Sequence, residues 1–261
     1  MRLRDRGHSV IAVSRTHFVP AAGVSFRQVA TYSHINSPAG SVLIHLAEPR
    51  DINRTEVDSE RQTLDIIRLS ETLIARHSGP AIYASSVAVY GDRMDCPHKP
   101  TETLHPLTAY GRAKLECEQR FLAAGETVVR LSNLYGPGMA SNNVVSDILA
   151  QIPGRGPLAV RSADPIRDFL WVEDAADALI RLVEQDSKGT FNIASGKSVS
   201  VGQLAQIMLR IAGESGRPIV SRESAHPASL MYLDIADTTS QIGWTSETTI
   251  EQGLSKLLKV L

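Results

Sequence analysis

Short unbroken apolar runs alternate with amphipathic stretches along most of this chain. Val42–Ala47 (Val-Leu-Ile-His-Leu-Ala) shows no polar alternation, the pattern of a strand buried on both faces. Ala81–Ser85, Thr127–Leu131 and Thr190–Ala194 are further strand candidates, His8–Ser14 is a short buried one, and Val24–Thr31 is weaker. Between them lie helical stretches. Glu60–His77 carries Leu64, Ile67, Leu73 and Ile74 among its apolar positions, and Tyr110–Leu122 and Asp174–Glu184 follow later. Strands alternating with helices at this spacing predict βαβ units and a mostly parallel sheet. After Gly138 the pattern loosens. A helix over Asn142–Gln151, a short strand at Leu158–Val160 and helices over Val201–Ala212 and Ile250–Leu258 are expected there. The first residues, Met1–Arg6, read as the last turn of a helix stopped by Gly7. There is no internal repeat and no low-complexity tract.

Composition narrows the function classes. The chain has 261 residues and 43% hydrophobic residues, enough for one large or two small packed domains. Its net charge is −1, and its Arg and Lys residues are scattered, which argues against a nucleic-acid groove or an anionic membrane surface as partner. No apolar run approaches the ~20 residues of a membrane span, and the N-terminus has no signal-like apolar core. Cys96 and Cys117 are the only cysteines, without the spacing of a disulfide framework or a zinc site, so no metal is expected. These features suit a reducing, cytoplasmic setting.

The strand at Ala81–Ser85 closes on the hydroxyls of Ser85 and Ser86, and the helix opened by Tyr110 carries Lys114 one turn on. Residues four apart share a helix face. An ammonium beside a phenol favours its deprotonated form. Tyr110 and Lys114 therefore make an acid/base pair, and the Ser86 hydroxyl is placed to hold a substrate oxygen against the phenol. The alternative is an amphipathic helix with Tyr110 half-buried and Lys114 in solvent.

Seven short motifs then occur in order: His45-Leu-Ala, Ser85-Ser-x-x-Val-Tyr-Gly91, Tyr110-x-x-x-Lys114, Arg130-x-x-Asn133-x-Tyr-Gly-Pro, Arg167-Asp-Phe, Phe191-Asn-Ile and Ile242-Gly-Trp. As a set they resemble the extended short-chain dehydrogenase/reductases of the nucleotide-sugar epimerase/dehydratase group, over essentially the whole chain. The resemblance implies an α/β fold with a doubly wound, Rossmann-type parallel sheet and a smaller C-terminal substrate-binding region. The dinucleotide part would comprise 1–132 and 168–194, and the substrate part 133–167 and 195–261. It implies NAD or NADP as cofactor, a nucleotide sugar as substrate and a homodimer built on the Tyr110 helix and the Glu60–His77 helix. Carried over residue by residue, Tyr110 is the acid/base, and Lys114 is its charge partner and holds the nicotinamide ribose. Ser86 is the hydroxyl beside the substrate. Ser14, Arg15, Leu46, Ala47 and Ser85 join Tyr110 and Lys114 along the cofactor. Ser86, Val87, Asn133, Asn143, Val144 and Arg167 face the nucleotide sugar. Blander roles stand beside these: Asn133 as a turn cap, Arg167-Asp168 as a surface ion pair, and His45, Trp171 and Trp244 as core. His98 and His105 receive no role.

The implied reaction is oxidation or reduction at a sugar carbon, as a 4-epimerase or a 4-ketoreductase. Dehydratases resembling this chain place an Asp-Glu pair directly after the catalytic hydroxyl. Here Val87 and Ala88 stand there, which argues against loss of water. At the end of the first visible strand an acidic residue would mark NAD. The chain has Ser14-Arg15, and Arg15 suits either a 2′-phosphate or stacking on adenine. The nucleotide clamp expected near the C-terminus is out of step, reading Arg222-Glu-Ser-Ala-His226-Pro, which leaves Arg222 to take that part. The glycine-rich strand–turn–helix that would hold a pyrophosphate is absent from the sequence. The chain is therefore expected to begin inside the first helix, with the central strand of the sheet missing. This leaves open a start upstream of Met1 or a truncated, catalytically silent form.

Overall fold

A computed structural model of the chain describes residues 2–32, 35–47, 56–92, 96–223 and 229–259, with only the backbone of residues 56–60. In chain order it begins with α1 (Arg2–Asp5), β1 (Ile11–Ser14), β2 (Ser25–Gln28), β3 (Leu43–His45), α2 (Glu56–Arg76), β4 (Ala81–Ser86) and α3 (Ala109–Ala123). Then come β5 (Thr127–Leu131), β6 (Asn133–Tyr135), α4 (Val144–Leu149), β7 (Leu158–Val160), β8 (Ile166–Trp171) and α5 (Val172–Glu184). The last part holds β9 (Gly189–Ile193), β10 (Ser198–Ser200), α6 (Val201–Ile211), β11 (Ile219–Ser221), β12 (Leu230–Met231), α7 (Ala236–Ile242) and α8 (Ile250–Leu258).

The predicted stop after the first turn is realised in detail. Gly7 takes φ +87°, its N–H bonds the Arg4 carbonyl at 2.8 Å, and the His8 N–H bonds the Leu3 carbonyl at 3.1 Å. Glycine takes this left-handed conformation without a Cβ penalty.

The main sheet is β3-β4-β5-β9, parallel throughout, with Ile82 opposite Thr127 and Val128 opposite Thr190. Successive side chains point to opposite faces, so neighbouring residues feed two different cores. Ala81, Tyr83 and Val128 pack with Ile66, Cys117 and Phe121 of α2 and α3. Ile82 and Val129 pack with Ala178, Leu179 and Leu182 of α5 and with Trp244. The result is a helix–sheet–helix sandwich. Both tryptophans are core residues, Trp171 at 3% and Trp244 at 2% exposure.

β1 and β2 form a separate parallel pair, Ile11 opposite Ser25. The second edge of β1 and that of β3 have no partner strand among the described residues. This corrects the expectation that both strands are buried. Ile11 is 40% exposed, and Leu43 and Ile44 are half-buried. A strand in a doubly wound sheet is buried by its lateral neighbours as well as by the helices above and below, and these two have only one neighbour each among the described residues.

The C-terminal part is organised on β8. β10 pairs with it antiparallel, and β6 and β12 pair with it in parallel. Around it α4, α6 and α8 enclose Tyr135, Ile148, Phe169, Leu204, Met208 and Leu254. The periodicity did not predict β6, β8, β10 to β12 or α7. β8 is hidden because it runs straight into α5, whose cap residue Trp171 makes no side-chain capping bond. Nothing in the sequence punctuates that junction, and α5 begins at Val172 rather than Asp174.

Candidate active site

The carboxyl end of β4 meets the first turn of α3. Ser86 ends β4 and caps the 3₁₀ turn Val87–Val89, with its Oγ accepting the Ala88 N–H at 3.2 Å. Its own hydroxyl proton is not used in that bond. Thr108 caps α3 by accepting the Gly111 N–H at 3.0 Å. A Cβ on Gly111 would lie 2.5 Å from the Ala88 carbonyl oxygen, closer than real contacts allow. Glycine at 111 is thus what lets the helix carrying Tyr110 press against the turn that follows Ser86. Gly91 plays a matching part with φ +83°, because a Cβ there would meet the His105 carbonyl oxygen at 2.4 Å.

Lys114 is not in solvent. It is 5% exposed, its Nζ donates to the Ala84 carbonyl at 2.5 Å, and it lies 5.5 Å from the Tyr110 ring centroid and 4.9 Å from that of Tyr83. A buried ammonium needs such partners. Its charge reaches His45, the last residue of β3. Burial, and then the nearby Lys114 charge, push the His45 imidazole down to about 3. His45 is core, as expected, but only half satisfied. Its Nδ1 accepts the Ala47 N–H at 3.4 Å, and its Nε2 has no partner among the described residues.

Beneath these groups runs a buried network that no sequence motif announced as a unit. Glu118, one turn beyond Lys114, accepts from the Ser85 hydroxyl and from Arg130 Nη2 at 2.8 Å. Glu118 is 1% and Arg130 4% exposed. Burial opposes the Arg130 charge, but the bonds and charge of Glu118 outweigh it, and the net shift is upward. Arg130 also donates to Tyr90 Oη and to the Pro100 carbonyl, both at 2.9 Å. Tyr90 donates to Asn192 Oδ1 at 2.6 Å, and burial pushes its phenol up to about 12. Asn192 in turn donates to the His98 carbonyl at 2.9 Å. His98, given no role from sequence, is fully buried, stacked on Tyr90 at 4.6 Å and bonded to Glu102 at 2.7 Å. The segment leading to Tyr110 is therefore tied to β4, β5 and β9. The helical period of Lys114 and Glu118 was the one available signal.

Along the carboxyl edge of the strands, Leu46 is 63% exposed and Ala47 half-buried after β3. Ser14 ends β1 and Arg15 follows it into solvent, its guanidinium 5.6 Å from the Tyr32 ring centroid. The Ser85 hydroxyl is turned to Glu118. Of the residues expected at the nucleotide sugar, Val87 is buried at the 3₁₀ turn. Asn133 opens β6 and donates to the Asp168 carbonyl at 3.0 Å. Asn143 caps α4, accepting the Ser146 N–H at 3.1 Å, and Val144 begins that helix. Arg167 donates to the Ser229 carbonyl and hydroxyl at 2.8 and 2.7 Å. Burial lowers its pKa, against the charge of Asp92. Asp168 is no surface partner of Arg167, contrary to the blander expectation. It is fully buried and accepts from Ser132, Ser195 and Gly196. Arg222 is exposed, and His226 lies outside the described residues.

Comparison with known proteins gives a consistent picture. Residues 1–194 match the model of the NAD dependent epimerase/dehydratase family. The chain is 30% identical to the GDP-6-deoxy-D-mannose reductase of Pseudomonas aeruginosa over 83% of its own length and 78% of that protein. It is 25% identical to UDP-glucuronic acid decarboxylase 1 of Arabidopsis thaliana over 75% of its length, spanning 47% of that relative. The crystal structure of a UDP-glucose 4-epimerase with UDP-glucose from Thermotoga maritima shares its fold, with a TM-score of 0.84, 22% identity and coverage of 99% and 92% of the two chains.

Proposed function

This chain belongs to the NAD dependent epimerase/dehydratase family, and from that premise we propose that it is a nucleotide-sugar 4-epimerase or 4-ketoreductase. It is an enzyme by that membership, with a nicotinamide dinucleotide as cofactor. The named relatives act on UDP- and GDP-linked sugars, and a nucleotide sugar is the substrate class proposed here. One observation carries the reading. The Lys114 ammonium is held on the Ala84 carbonyl, 5.5 Å from the Tyr110 ring, while Gly111 seats that helix on the turn after Ser86.

The residues present fit the two ends of a dinucleotide along the carboxyl edge of parallel strands. Tyr110, Lys114 and the exposed apolar Leu46 suit the nicotinamide end, and Arg15 the adenosine end. The glycine-rich pyrophosphate turn is not among the described residues. The nicotinamide, when bound, supplies the hydride acceptor or donor.

Tyr110 Oη takes the proton from the sugar hydroxyl as the carbon is oxidised and returns it in reduction. The Lys114 charge stabilises the phenolate. Ser86 donates its free hydroxyl proton to the same sugar oxygen and fixes its position. Val87 and Ala88, next in line, carry no proton-transfer group, so expulsion of water is not part of the reaction. Asn133, Asn143, Val144 and Arg167 would hold the nucleotide sugar. The division into a dinucleotide part (1–132, 168–194) and a substrate part (133–167, 195–261) belongs to the same proposal, as does a homodimer through α2 and α3, where Leu64 is 52% exposed.

The test uses UDP-glucose and GDP-6-deoxy-D-mannose with either dinucleotide. Tyr110→Phe is expected to lower kcat by about 10²- to 10⁴-fold, the usual worth of a positioned acid/base. Retained turnover with an unchanged melting temperature would overturn the mechanism.

A further inference from the structure

We infer that the turn after β1 is built to take an adenosine 2′-phosphate, so that NADP(H) is the dinucleotide this chain prefers; this rests on the cofactor reading above. The first observation is a gap in the charge pattern. The chain has 28 Asp and Glu residues, yet none between Gly7 and Ala47. That stretch supplies β1, β2, β3 and their connections. A carboxylate at the end of β1 would accept the ribose hydroxyls of NAD and repel a 2′-phosphate. The residues there are Ser14, Arg15 and Thr16.

The second observation is the state of Arg15. Its backbone is fixed, because its carbonyl accepts from Gln28 Nε2 at 3.3 Å and Ser14 Oγ accepts the Thr16 N–H at 3.1 Å. Its side chain is exposed and leans over the Tyr32 ring at 5.6 Å, and no acceptor for the guanidinium is found among the described residues. A guanidinium with one face on an aromatic ring keeps its N–H edge for a ligand, and that planar fork matches two phosphate oxygens. Stacking also limits the rotamer freedom lost on binding. Adenine stacking by Arg15 would favour NAD and NADP equally and would leave the acid-free stretch from Gly7 to Ala47 without consequence.

The experiment is isothermal titration of the full chain with adenosine 2′,5′-bisphosphate and with 5′-AMP, which differ only in the 2′-phosphate. The bisphosphate is expected to bind at least ~10-fold more tightly, as one charge-assisted contact allows. In Arg15→Ala that ratio should fall to near unity while 5′-AMP affinity holds. Arg15→Lys, which keeps the charge without the fork, should recover part of it. Because Arg15 is exposed, both variants should melt at the wild-type temperature. Equal affinity for the two probes, binding of neither, or an equal loss of both in Arg15→Ala would overturn the inference. These outcomes are separable from the catalytic reading, since neither probe carries the nicotinamide that Tyr110 and Lys114 would face.

Discussion

A single buried histidine shows how the site's chemistry reaches into stability. His45 is neutral in the folded chain down to about 3, against 6.5 for an ordinary solvated imidazole. The unfolded chain therefore binds the extra proton first as pH falls. Its contribution destabilises the fold progressively from about pH 6.5 down to pH 3 and is absent above that window. Between pH 7 and pH 4 this one group should cost on the order of 3 kcal/mol. His45→Phe removes the titration and should flatten that slope. Urea unfolding midpoints at pH 7 and pH 4 for the two proteins measure it, and parallel slopes would contradict the assignment. The sequence placed His45 in the core correctly. Burial lowers its pKa first, and the Lys114 charge that adds to this lies far along the chain, so no local pattern in β3 contains it.

Among the elements, α3 connects more of the site than any other described helix. Its first turn carries Tyr110, its second Lys114 and its third Glu118, all at one helical period. Glu118 joins α3 to β4 through Ser85 and to β5 through Arg130. Both partners are almost wholly buried, so breaking the pair by Arg130→Met should cost about 3–5 kcal/mol, because the Glu118 charge is stranded. Pairing it with Glu118→Gln should restore much of the loss, since two neutral groups of similar size leave no buried charge. A double-mutant cycle by chemical unfolding reads this coupling. Equal losses in single and double variants would show that the pair acts only as packing. The strand–helix alternation that positions α3 was legible from hydrophobic periodicity. β8, equally central to the C-terminal part, was not, because no turn residue separates it from α5.

At the scale of the molecule, the β3-β4-β5-β9 sheet and the β1-β2 pair should differ in local stability. β3-β4-β5-β9 is covered by helices on both faces, whereas β1 is mostly half-buried, β2 is mostly exposed, and the two pair only with each other among the described residues. Amide hydrogen exchange follows local opening. The amides of β4 and β5 should exchange orders of magnitude more slowly than those of β1 and β2, as mass-spectrometric exchange would resolve. Uniform protection would contradict this difference. By itself the sequence determined the strand–helix alternation, the parallel sheet, the stop at Gly7 and the pairing of Tyr110 with Lys114, because each depends on neighbours a few residues apart. Only the tertiary structure decided that Lys114 is buried against Ala84, that Asp168 is an internal acceptor rather than a surface ion, and that Glu118, Arg130, Tyr90 and Asn192 form one network. Those facts depend on which distant backbone and side-chain groups are brought within hydrogen-bond reach, and periodicity along a chain carries no record of that.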